Sequence, residues 1–260
     1  MTPPLPAGHL QSPSLDLPGA AAPAYELKFL LDETRAQAAE AWARLHLAPD
    51  PHGDPALGGA YRTTSLYFDT PELDVFHRAP SYRRRKYRVR RYGAGPWAFL
   101  ERKSKWGDRV AKRRSLVPEA DVALLAHPMS VVAWPGHWFH RRLLARRLTP
   151  ACRVAYQRLA FVGAGGGGAL RLTIDRHVHG VLTGAWDLAP VEGGLPLLHG
   201  QAILEFKFRA ALPAPFKALA RELRLSPGGV SKYRLCRETW GVIGARSETV
   251  PQRGREAVDA

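Results

Sequence analysis

The sequence is short of acidic residues, of sulfur and of long apolar runs. Its 260 residues hold 23 Asp and Glu against 38 Lys and Arg, a formal charge of +15. An imbalance of that size points to a polyanionic partner: nucleic acid, anionic lipid or a phosphate-rich small molecule. Cysteine occurs only as Cys152 and Cys236. Two distant cysteines give no thiolate metal spacing and no disulfide framework; they fit a reducing compartment, so a cytoplasmic protein is expected. No apolar stretch reaches membrane-spanning length, since the nearest, Val122 to Phe139, is broken by His127, Pro128, Pro135 and His137. The N-terminus lacks a basic segment followed by an unbroken apolar one, so no secretory signal is read. Residues 1–23, rich in Pro, Ala and Gly, read as a disordered leader and 243–260 as a disordered tail, which leaves 24–242 as the folded domain.

Several catalytic templates are also missing. The glycine run Gly165 to Gly168 is not followed by Gly-Lys-Ser/Thr, so it reads as a hairpin connection and not as a phosphate-cradling loop. No serine elbow, zinc-protease or deaminase pattern occurs. His177 and His179 share one strand face, but no third and fourth ligand stand near them in sequence.

What the chain does have is a 45% hydrophobic content, enough for a real core, and a repeated arrangement of charge on its strands. The stretch from Arg83 to Gly93 reads as a strand ended by the turn Gly93-Ala94-Gly95-Pro96. Side chains alternate on a strand, so Arg88 and Arg90 share a face and repel unless an anion lies between them. The same spacing recurs in Glu26 and Lys28, Glu101 and Lys103, Lys112 and Arg114, Tyr156 and Arg158, Arg171, Thr173 and Asp175, and Glu205 and Lys207. Helical spacing follows Asp32-Glu33-Thr34, and helices are also expected at 72–78, from Pro118, over 137–148, from Pro213 and from about Gly228 to Trp240. Most connections between strands are too short for parallel crossovers, so an antiparallel α+β fold is expected.

A sheet with one charged face can simply be half solvated. Here the charged faces mix Lys, Arg and Glu with little Ser, Thr, Gln or Asn, and the opposite faces are rich in Leu, Phe and Ile, with amphipathic helices at hand to cover them. A closed barrel with helices outside and a charged lumen satisfies both features and removes the sheet edges. Like charges in such a lumen are tolerable when a polyanion, with or without a divalent metal, fills it.

Taken in order, Glu26-x-Lys28, Arg88-x-Arg90-x-x-Gly93, Glu101-x-Lys103, Tyr156-x-Arg158, Arg171-x-Thr173-x-Asp175, Glu205-x-Lys207 and Ser231-Lys232 resemble the VTC (vacuolar transporter chaperone) catalytic domain. That domain is the polyphosphate polymerase branch of the triphosphate tunnel metalloenzymes, and the likeness spans about Ala24 to Trp240. The resemblance implies a tunnel barrel of about eight antiparallel strands that polymerises polyphosphate from the γ-phosphate of ATP, with a tunnel triphosphatase as the alternative. It implies catalytic roles for Lys28, Arg88, Arg90, Lys103, Arg158, Arg171 and Lys207, and substrate binding by Lys112, Arg114, Ser231 and Lys232. Glu205 would hold Mn²⁺ or Mg²⁺, with Glu26 and Glu101 assisting the metal or neutralising neighbouring lysines. The chain resembles the stand-alone bacterial members, with no upstream sensing domain and no membrane span in sight; ATP and polyphosphate are the expected partners, and no specific nucleic acid is expected. A rival reading takes Arg83 to Arg91, interleaved with Tyr82, Tyr87 and Tyr92, as an RNA-binding surface; against it, a carboxylate stands beside most of the lysines and would repel a phosphate backbone.

Overall fold

A computed structural model describes residues 24–106, 109–129, 133–165 and 168–248. Ten strands form one sheet: β1 (Ala24–Asp32), β2 (Ala48–Pro49), β3 (Tyr61–Asp69), β4 (Arg85–Tyr92), β5 (Trp97–Trp106), β6 (Arg109–Pro118), β7 (Thr149–Gly165), β8 (Gly168–Leu182), β9 (Leu195–Pro196) and β10 (Gln201–Phe208). Five α-helices accompany them: α1 (Glu33–His46), α2 (Asp74–His77), α3 (His137–Leu144), α4 (Ala214–Glu222) and α5 (Lys232–Glu248). The fold is α+β with an antiparallel sheet, as the short connections require. The leader and residues 249–260 of the tail lie outside the described residues, and α5 continues to Glu248.

The hydrogen-bonded order is β2-β7-β3-β4-β5-β6-β1-β10-β8-β9, and β7 pairs with β8 as well. The sheet therefore curls round on itself. It does not form the evenly closed barrel expected from the sequence. Among the described residues β1 and β6 pair only at Ala24↔Val110 and Tyr25↔Arg109, whereas β1 and β10 pair over eight residues, from Tyr25↔Phe208 to Asp32↔Gln201. Within those residues β1 is joined far more extensively to β10 than to β6.

The apolar faces turn outward and are covered. On one side Phe29, Leu31, Leu172, Ile174, Leu204 and Phe206 pack against Ala36, Ala39 and Ala43 of α1 and Phe216 of α4; Phe206 and Phe216 stack at 4.3 Å. Alanine at those α1 positions lets the helix lie close on the sheet. The Asp32 carboxylate accepts from the Arg35 N–H at 2.8 Å and starts that helix. On the other side Leu66, Phe68, Tyr87, Val89, Leu100 and Val117 pack with Phe139 and Leu143 of α3 and Tyr233 and Cys236 of α5. Each large side chain so buried contributes about 1.5–3 kcal/mol. With both apolar sets facing helices, the charged sets are left to face one another.

Two helices differ from expectation. The segment after Pro118 is a 3₁₀ helix, Glu119–Ala126, because His127 precedes Pro128 and is kept from the α region, so the turn cannot lengthen. The helix at His137 stops at Leu144: Arg147 takes a left-handed φ of 52°, and the Leu148 N–H returns to the Leu143 carbonyl at 3.0 Å. No described helix is long and apolar enough to cross a membrane.

Candidate active site

Pairing sets the charged side chains in rows across neighbouring strands. Lys28 of β1 lies opposite Glu205 of β10, and Glu26 opposite Lys207; Glu205 and Lys207 in turn face Thr173 and Arg171 of β8. Arg88 of β4 is opposite Glu101 of β5, which is opposite Arg114 of β6, and Lys86, Lys103 and Lys112 form the next row. Antiparallel order thus gives Lys28, Lys207, Arg88, Arg114 and Arg158 a carboxylate on the adjacent strand.

Three clusters follow. In the first, Lys103 Nζ donates to Glu26 at 2.9 Å, Lys207 lies 3.0 Å from Glu205 and 3.9 Å from Glu26, and Lys28 sits 4.0 and 3.9 Å from Glu26 and Glu205. In the second, Glu101 accepts from Arg88 at 2.6 Å and from Arg114 at 2.5 Å, with Lys112 at 3.3 Å. In the third, Asp175 accepts a forked pair from Arg158 at 2.6 and 2.7 Å and a bond from Lys232 at 2.5 Å. Arg171 stands apart from these, bonded to Asp50 and, at 3.1 Å, to the Tyr61 hydroxyl. Arg90 is 3% exposed and meets no carboxylate; it donates to Ser65 Oγ at 2.9 Å and lies between the rings of Tyr92 and Tyr156. Ser231 accepts from Lys86 at 2.9 Å.

Burial disfavours charge on all these groups, and the clusters overcome it for the acids. Burial pushes the Glu101 carboxyl up, but Arg88, Lys112 and Arg114 outweigh it and hold it well below its ordinary range. Glu205 is likewise held far down against its burial, by Lys207, Lys28 and Lys103. Glu26 falls to about 2 despite burial and the adjacent Glu205, through Lys103, Lys207 and Lys28. For Lys103, burial outweighs Glu26 and brings the ammonium to about 7. Tyr92, which burial alone would raise, is brought to about 6 by Arg90 and Arg114.

Lys28, Arg88, Arg90, Lys103, Arg158, Glu205, Lys207, Ser231 and Lys232 line one cavity of about 80 Å³. Glu26, Glu101, Lys112 and Arg114 reach it through their ion pairs, while Arg171 is turned toward Asp50. Water takes about 30 Å³ a molecule, so the cavity has room for two or three waters. A second, open cavity of about 1260 Å³ lies beyond Tyr156, which lines both; Tyr61, Tyr92, Phe99 and Leu116 give it an apolar wall, and His177 and His179 lie at its side.

A divalent cation takes one or two carboxylates together with substrate phosphates when it is magnesium-like. Glu205 and Glu26 fit that role: they are adjacent, and Glu205 Oε1 accepts no well-aligned hydrogen bond, although Lys207 Nζ lies 3.0 Å from it. Glu101 does not fit, because Arg88, Arg114 and Lys112 already occupy its oxygens. Among the described residues no group of three or more His, Cys, Asp and Glu stands together.

Sequence reasoning passed over Lys86, Asp50, Tyr92 and the role of Asp175. Lys86 and Tyr92 were within reach, two residues either side of Arg88 and Arg90 on the same strand face. Asp50 gave no signal, since it lies in a loop 121 residues from Arg171. The aromatics of the rival RNA surface are committed: Tyr87 is 2% exposed in the outer core, and Tyr82 lies under Arg146 and bonds its carbonyl.

The VTC domain profile matches residues 23–240, and the chain belongs to the VTC domain family. Solved structures with a similar shape include a protein from Pyrococcus horikoshii at 15% identity, covering 83% of this chain and 99% of that one, TM-score 0.45. A putative adenylate cyclase from Bacillus halodurans matches at 12%, covering 82% and 96%, TM-score 0.48. A putative adenylyl cyclase from Hippeastrum, described as having a dominant triphosphatase activity, matches at 15%, covering 84% and 96%, TM-score 0.47. No curated protein matches the chain.

Proposed function

We propose that the chain transfers phosphoryl groups inside this bore, extending inorganic polyphosphate from the γ-phosphate of ATP. The observation that carries the reading is the convergence of Lys28, Arg88, Arg90, Lys103, Lys207 and Lys232 on one cavity, in a chain of the VTC domain family. Phosphoryl transfer needs charge neutralisation and in-line alignment more than covalent help. Arg88, Arg90 and Arg158 supply forked contacts to phosphate oxygens; Lys28, Lys103, Lys207 and Lys232 act as point charges. Lys112 and Arg114 extend the cationic lining, whereas Arg171, bonded to Asp50, stands outside it. Ser231 donates a hydrogen bond to a phosphate oxygen. Glu205, helped by Glu26, would hold Mn²⁺ or Mg²⁺, which when bound neutralises charge on the transferring group. A terminal oxygen of the polymer attacks the γ-phosphorus, the bond to the β-bridging oxygen breaks, and ADP leaves.

Tunnel triphosphatase activity is the second reading. It is favoured by the small size of the cavity, about 80 Å³, which leaves little room for a growing chain. Purified protein is incubated with ATP and Mn²⁺ and the products are separated by chromatography. Long polyphosphate with ADP is expected; free phosphate without polymer transfers the assignment to the triphosphatase. Chelation is expected to stop turnover and to leave the melting temperature unchanged, since Glu26 and Glu205 already have lysine partners.

A further inference from the structure

Lys86 differs from the other lysines of the cavity. Lys28, Lys103, Lys207 and Lys232 each have a carboxylate within 4.0 Å. Lys86 lines the same cavity, but its one bond is to Ser231 Oγ at 2.9 Å, and no described carboxylate is in ion-pair range. An ammonium carries three donors, so two remain without a protein acceptor. The cations nearest it are Lys103, opposite on β5, Lys28 from β1, Arg78 from the turn after α2, Arg88 from its own strand and Arg234 from α5. An arrangement with a donor surplus and no counter-charge is completed by an anion.

We propose that Lys86 is a further phosphate-binding residue, forming with Ser231 a subsite for the terminal phosphoryl group of a linear polyphosphate. The assignment rests on the reading of the bore given above. It also has a consequence that a strand-to-loop tie would lack. Burial, and then Lys28, Arg78, Arg234 and Arg88, bring the free Lys86 ammonium down to about 7. A bound phosphate restores its charge, so above neutral pH binding draws in a proton, and affinity falls as pH rises. Lys103 and Lys232, at about 7 and about 8, add to the same uptake, so only the difference between variants isolates Lys86.

The full chain is titrated with tripolyphosphate, free of metal, by calorimetry at pH 7 and 8.5 in two buffers of different ionisation enthalpy. Lys86→Met is expected to bind at least about tenfold more weakly, the scale of one charge-assisted hydrogen bond. Lys86→Arg, charged throughout, is expected to stay within about threefold at pH 7 and to take up fewer protons at pH 8.5 than the unaltered chain. Melting curves identify a variant that fails to fold, and the arginine variant then decides. Unchanged affinity in Lys86→Met, or equal proton uptake in Lys86→Arg, overturns the assignment while the bore still binds. No binding by the unaltered chain overturns the phosphate reading of the bore itself, and this assignment with it.

Discussion

Glu101 and Glu205 are buried on the inner faces of two antiparallel strands, and each is surrounded by cations. Their surroundings use them differently. Glu101 meets two guanidiniums at 2.6 and 2.5 Å and an ammonium at 3.3 Å. Guanidinium groups are planar and hold fixed geometry, so this cluster is a rigid tie joining β4, β5 and β6. Glu205 meets only lysines in ion-pair range, at 3.0 and 3.9 Å, and has Glu26 beside it. Lysine stems swing and their ammonium groups exchange partners easily. One carboxylate holds the wall together; the other leaves its cations free to be taken by a ligand.

The sharpest way to break this contrast is to neutralise each acid in turn. Glu205→Gln is expected to cost turnover about 10²-fold or more, the scale of one lost electrostatic contact to a transition state, with a smaller loss of stability than Glu101→Gln. Activity assays beside urea curves check both; retained activity removes the proposed metal role. Glu101→Gln is expected to do the reverse first, destabilising the fold by about 3–5 kcal/mol because Arg88, Lys112 and Arg114 are left buried together. A midpoint equal to that of the unaltered chain would show that the cluster ties nothing.

Acid titration is expected to have a smaller effect. Glu101 and Glu205 are held well below their ordinary range when folded, and Glu26 is held at about 2. Carboxyls depressed in the folded state stabilise it above their unfolded pKa, and that stability drains as pH falls through the folded values. The urea midpoint should therefore be steady from pH 7 to about 5 and drop toward pH 2, less steeply in Glu101→Gln; a flat midpoint between pH 5 and 3 would contradict the ion-pair account. The smallest effect is expected from Thr173→Val. Thr173 lies opposite Glu205 and its buried hydroxyl has no partner, so losing it should stabilise the fold by up to about 1 kcal/mol. Tripolyphosphate affinity should meanwhile fall only a few-fold.

Period-two charge made much of this readable beforehand. Glu26 with Lys28, Arg88 with Arg90 and Glu205 with Lys207 each had to share a face, and with helices covering the other face the polar sets had to meet. Partner choice was not readable. Nothing local says that Glu101 is gripped by Arg114 of the next strand while Glu205 is left with lysines, because register depends on hairpin turns and strand ends. Asp50 reaches Arg171 across the fold from a loop.

The Glu101 cluster has a mechanical consequence. Its cations come from β4 and β6, on either side of β5, so a displacement of any one of these three strands is passed to the other two.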